Sequence, residues 1–78
     1  MNRHEVISMV MKELDHAYEL HPTWPKDQVH QSAIVLKEAG QLVEATLQRT
    51  YQPHKERNPI KEAVQTAAMA IRFLEANT

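Results

Sequence analysis

Cysteine is absent from the chain, which removes disulfide staples and thiolate zinc sites and fits a reducing cytoplasm. Glycine occurs once and aromatic residues make up only 5%. No hydrophobic run approaches the length of a membrane span. The opening stretch "MNRHEVISMVMKELDHAYEL" is interrupted by Arg3, Glu5, Lys12, Glu13 and Asp15, so it has no signal-peptide core. Neither sign of charge dominates. Nine Lys and Arg against ten Asp and Glu give a net charge of −1, without the basic excess of a dedicated nucleic-acid binder. Neither a membrane nor a nucleic acid polymer is therefore expected as a partner, and a DNA-binding helix-turn-helix is disfavoured.

What is present is 42% hydrophobic content among strong helix formers, in 78 residues. The expected class is all-α, with residues 1–78 forming one helical domain. A chain this short buries only about 60% of the surface its unfolded form exposes, so a lone core is marginal. Without cysteine, the remaining remedies are a metal ion or self-association.

Apolar periodicity predicts three helices. The first covers residues 3–20, where Ile7, Val10, Met11, Leu14, Ala17 and Tyr18 recur at the spacing of one buried face. "HPTWPKD" (21–27) breaks it through Pro22 and Pro25. The second helix starts at Asp27, or at Trp24 with Pro25 as its first residue, and runs to about residue 49 or 50. "YQPHKERNP" (51–59) is the second break; Asn58 followed by Pro59 then caps and opens a third helix to about residue 76.

Two stripes stand out. Val29, Ala33, Leu36, Gly40, Val43 and Leu47 line one face of the second helix, the face expected to pack in a helical hairpin, with Gly40 allowing close helix approach. Ile60, Val64, Ala67, Ile71 and Leu74 do the same on the third. Glu38 falls on the opposite side of its helix, among Ile34, Val35, Leu42 and Ala45, away from the wet sector of Lys37, Glu44 and Gln48. Glu62 aligns with Thr66, Met69 and Phe73, while Lys61, Arg72 and Glu75 mark the wet side. Helices apolar on two faces need partners on two sides, so a three-helix protomer is expected to assemble by homo-oligomerisation into a larger bundle, as a dimer or tetramer. A carboxylate among apolar side chains must be neutralised, paired or bound to a cation. Glu38 and Glu62 are candidates to meet. A hairpin folded at Tyr51–Gln52 sets Gln41 beside Glu62 and Glu38 beside Gln65; helices ending at 50 and starting at 59 shift that register by several residues.

The order "HPTWPKDQVHQSAIVLKEAGQLVEA", a loop, then "KEAVQTAAMAIRFLEAN" resembles the MazG-like all-α nucleotide pyrophosphohydrolases, closest to the short phage- and prophage-type members, over about residues 20–77. The family pattern is Glu-Glu-x-x-Glu on one helix and Glu-x-x-Asp on the next. Its acids hold magnesium at the phosphates of a nucleoside triphosphate, and water cleaves the α–β bond to give monophosphate and pyrophosphate. By that resemblance Glu38 matches the second acid of the first motif and Glu62 the first acid of the second. Lys37 stands where a glutamate is common, Gln41 replaces a glutamate, and Gln65 replaces the aspartate.

The resemblance implies Glu38 and Glu62 as catalytic residues and ligands of Mg2+ or Mn2+, with Gln41 and Gln65 as weaker ligands. Substrate contacts fall to Trp24, His30, Lys37, Lys55 and Arg57. Trp24 between two prolines also reads as a plug closing the bundle end. Lys55 and Arg57, with Arg49 and His54, are loop cations able to attract phosphates, although a solvated loop accounts for them too. His4, His16, His21 and His30 share no metal-ligand spacing. No covalent nucleophile is expected, since Ser32 lacks an evident base and orienter. The alternative is a catalytically weakened or inactive relative acting as a nucleotide- or protein-binding helical oligomer, a reading favoured by glutamine at two acid positions.

Overall fold

A computed structural model describes residues 1–52 and 57–78 of the protein. Three helices form the fold: α1 (Arg3–Leu20), α2 (Gln28–Tyr51) and α3 (Pro59–Asn77), with no strand among the described residues. None of these helices is long and apolar enough to cross a membrane. Each begins on a side-chain cap that satisfies amides the first turn leaves without helical partners. Asn2 accepts from the Glu5 amide at 2.9 Å while the Glu5 carboxylate reaches back to the Asn2 amide at 3.4 Å. Asp27, not Trp24, opens α2, accepting from the amides of Val29 at 3.4 Å and His30 at 3.1 Å. Asn58 accepts from the Ile60 amide at 3.0 Å, with Pro59 in the first turn, where its missing amide costs nothing.

The central element is α3. Both α1 and α2 pack on it and not on one another. Along α1 the chain runs parallel to α3: Val6, Met9 and Val10 lie against Ile60, Ala63 and Val64, and the Tyr18 hydroxyl donates to Glu75 at 2.9 Å. The hairpin partner α2 runs antiparallel. Gln28 donates to Asn77 at 2.8 Å near one end, and the Asn77 amide donates to Gln31 at 2.6 Å. Gln31, one of two buried polar residues among those described, also donates to the Pro25 carbonyl at 2.6 Å, so the connecting segment is tied to α2 by a satisfied amide.

The hairpin packs through the face opposite to the one periodicity suggests. Val29, Leu36, Val43 and Leu47 are 75%, 71%, 56% and 52% exposed. Ala33 and Gly40 are exposed beside them, and a Cβ added at Gly40 would meet nothing within 4 Å. Ala45 and Gln31 are buried instead, and Ile34, Val35, Glu38 and Leu42 are half-buried. On α3 the expected stripe is covered only in its middle: Val64, Ala67 and Ile71 are half-buried, while Ile60 and Leu74 are exposed. The reason lies in α2 being apolar on two sides. Angular position separates the two faces but does not say which receives the partner within the chain. Gly40 therefore serves no close approach inside the protomer, although glycine in mid-helix costs about 1 kcal/mol relative to alanine.

Arg72 is a second departure. Assigned by periodicity to the wet side, it is 2% exposed. Its guanidinium carbon lies 4.4 Å from the Tyr18 ring centroid and 4.6 Å from that of Trp24, joining α1, the 21–27 segment and α3 through cation–π contacts. Burial, and next the hydrogen bond and charge of Glu75, raise the pKa of the Tyr18 phenol. A wheel drawn on α3 alone contains neither aromatic ring, which is why the position looked solvated.

Candidate functional site

The glutamates stand apart because each sits on a helix face directed into the protein. Glu38 projects from the middle of α2 and Glu62 from the first turn of α3, where the helix dipole favours a negative charge. In both, Oε2 is buried and has no hydrogen-bond partner among the described residues. Burial, then the charge of Glu62, raises the pKa of Glu38; Lys37 opposes the shift and Glu13 adds to it. The two carboxylates are therefore electrostatic neighbours. Glu62 acts on Glu38 across helices that end at Tyr51 and restart at Pro59, while Gln28 meets Asn77 towards the other end of the hairpin.

Glu13 was not singled out from the sequence, yet α1 brings it to this group. The signal was present: Glu13 lies three residues after Val10 and four before Ala17, on the apolar face of α1, the same anomaly that exposes Glu38. His16 Nδ1 is 3.7 Å from the Glu13 carboxylate, a charge pair only when the imidazole is protonated.

Arg57 approaches from the far side, 3.3 Å from Glu44 and 3.9 Å from Glu62. It is a cation at the carboxylates as well as a candidate phosphate contact. Lys37 is exposed next to Glu38, and Gln41 and Gln65 are half-buried one turn along their helices. Lys55 and His54 lie outside the described residues. Trp24 and His30 are placed elsewhere: they line an open groove of about 610 Å³ with Thr23, Pro25, Lys26 and Asp27 at the other end of the hairpin. His30 precedes Glu38 by eight residues, about 12 Å of helix. Trp24 is half-buried over Arg72, which fits its reading as a plug, and its indole Nε1 is buried without a partner among the described residues.

The donor set limits the kind of cation the site suits. Among the described residues no group of three or more His, Cys, Asp or Glu side chains could hold a metal ion. Two orphaned carboxylate oxygens do not make a closed protein cage. A divalent cation held by them would have to draw most of its ligands from phosphate and water, as Mg2+ commonly does.

Glu38 also gives a pH dependence. With its folded pKa raised above 4.5, the protein binds that proton more tightly than the unfolded chain does. The associated stability is fully present below the unfolded value and is lost as pH rises through the folded one. Without divalent cation, Glu38→Gln should melt above wild type at neutral pH, the two curves converging below pH 4.5. Thermal melts across that range check it. A difference independent of pH would mean that the fold does not hold the Glu38 proton more tightly than the unfolded chain does.

The chain matches no family model, no curated protein and no solved structure.

Proposed function

We propose that the protein is a self-associating, Mg2+-dependent nucleoside triphosphate pyrophosphohydrolase, as its resemblance to MazG-like enzymes suggests. The observation that carries this reading is the pair of buried, unpartnered Oε2 atoms on Glu38 and Glu62, facing a shared electrostatic neighbourhood from adjacent helices. In this reading Glu38 and Glu62 hold the cation, and Mn2+ is an alternative of suitable chemistry. Its role when bound is to offset charge on the phosphate oxygens.

The chain's own contribution is positioning and proton handling. Lys37 and Arg57 bring positive charge to the polyphosphate, and Arg57 can exchange its Glu62 contact for a phosphate oxygen. Gln41 and Gln65 offer neutral amide oxygens and N–H donors. Neither can accept a proton as a carboxylate does. The proton of the attacking water is assigned to the Glu38–Glu62 pair, whose carboxylates can accept it where the amides cannot.

Self-association is supported by surface area. A folded monomer of 9.0 kDa exposes about 4,900 Å² by the usual size scaling. This protomer exposes 5873 Å², and its buried apolar residues among those described are Leu14, Ala17, Ala45 and Ala68, three of them alanine. The excess is roughly 1,000 Å² per chain, the amount a stable two-chain interface removes from each partner.

The test is pyrophosphate release from a panel of ordinary and modified nucleoside triphosphates with Mg2+ or Mn2+. Turnover that requires divalent cation is the expected result. Absence of turnover across the panel would leave the second reading, a nucleotide- or protein-binding oligomer without catalysis. That reading is favoured by Arg57 already lying 3.9 Å from Glu62 and by the missing third ligand among the described residues.

A further inference from the structure

The self-association proposed above leaves open which surface is used, and α2 carries a specific answer. Its exposed apolar positions are arranged symmetrically about one residue. The helix spans Gln28–Tyr51, and Gly40 stands at its midpoint. Ala33 and Leu47 lie seven residues either side of Gly40; Val29 and Tyr51 lie eleven either side. Leu36 and Val43 lie four before and three after. All six are exposed. Such a pattern is what an antiparallel crossing of two identical helices needs, because a two-fold axis at the crossing point pairs residues equally distant from it.

We infer that a second copy of this chain docks along α2, the two helices crossing antiparallel with Gly40 at the two-fold axis. Small then meets large at each level: Val29 against Tyr51 of the second copy, Ala33 against Leu47, and Leu36 against Val43. The glycine that has no neighbour within its own chain lets the two backbones approach at the crossing. Beside Leu36, an apolar groove of about 550 Å³ runs between α2 and α3, lined by Val35, Ala39, Ala70, Phe73 and Leu74 among others. It opens at the level of Leu47 of the second copy and can receive that side chain. The exposed surface in excess of a monomer, roughly 1,000 Å² per chain, is what such a dimer requires.

Charge selects the direction. Lys37 and Glu44, both exposed, lie three before and four after Gly40. An antiparallel crossing sets Lys37 near Glu44 of the second copy at two symmetry-related places along one edge, whereas a parallel one carries the two Lys37–Glu44 rows to opposite edges and forms neither pair. Glu38 lies about 160° around the helix from Gly40 and keeps its place towards α3.

The absence of cysteine makes the test direct. Light scattering at micromolar concentration gives the mass of the wild type. The double variants Ala33→Cys with Leu47→Cys, and Val29→Cys with Tyr51→Cys, are then oxidised mildly and resolved without reductant. These positions are exposed, so the fold does not depend on them. Within one chain, residues 33 and 47 are about 21 Å apart along the helix and cannot bridge. The expected result is a dimer mass, covalent dimers from both double variants and none from Ala33→Cys alone. A dimer whose double variants stay unlinked, or whose Ala33→Cys single variant links to itself, overturns the α2 crossing and leaves self-association standing. A monomer mass overturns both. Neither result bears on pyrophosphate release, which is assayed separately.

Discussion

Glu38→Gln and Glu62→Gln should each lower pyrophosphate release by about 100- to 1,000-fold, the loss expected when one fixed electrostatic contact to a reacting centre is removed. Glutamine keeps the size and hydrogen-bonding reach of the side chain while removing its charge, so the effect isolates the carboxylate. The protein begins with two candidate carboxylate ligands and no third from His, Cys, Asp or Glu among the described residues. Losing one halves the charge that holds the cation. A second readout separates binding from chemistry. At a free concentration a hundredfold above Kd, nucleotide with cation stabilises the folded state by about 2.7 kcal/mol. In a domain of this size that raises the melting temperature by about 11–22 °C. The shift should appear in wild type with Mg2+ and a non-hydrolysable triphosphate, and vanish in either variant. Variants that turn over normally would show that the two glutamates do no catalytic work, whatever their burial.

The helices were legible because their boundaries are written in local chemistry. Asn58 before Pro59, and Asp27 three residues ahead of His30, act through atoms a few bonds away, and the structure realises both. The special status of Glu38 and Glu62 was legible for a related reason: each sits among apolar neighbours on its own helix, and burial follows from that. What the sequence hid was relational. Both sides of α2 are apolar, so periodicity alone did not distinguish the face that meets α3 from the face that remains exposed. Glu13 belongs to a different helix from the pair it influences. Arg72 looked solvated because its two aromatic neighbours lie 54 and 48 residues away in the chain. None of these is a failure of helix propensity; each depends on contacts between segments.

Arg72→Ala should destabilise the protein by about 3 kcal/mol, whereas Arg72→Met should change stability by less than about 1 kcal/mol. Two opposing terms act on the guanidinium. Stacking over Tyr18 and Trp24 is favourable by about 2 kcal/mol for a desolvated cation–π contact. Against it, Nε and Nη2 are buried with no acceptor among the described residues, and a buried unsatisfied donor costs about 1–3 kcal/mol. These nearly cancel, so what remains is the volume of the side chain wedged between the rings. Methionine keeps most of that volume and carries no donor to leave unpaired, which is why it is tolerated. Alanine leaves a cavity under Trp24, and truncations of long buried side chains cost about 2–5 kcal/mol. With each kcal/mol worth about 4–8 °C in a chain this small, the alanine variant melts at least 12 °C lower at the same protein concentration. Trp24 is the only tryptophan, so its fluorescence reports the loosened segment directly. Equal melting temperatures for alanine and wild type would mean that the rings do not depend on what lies between them. The consequence for function runs through position: Trp24 and the Glu13-bearing helix both meet α3 at this residue, so the alanine variant should also weaken nucleotide binding while methionine leaves it intact.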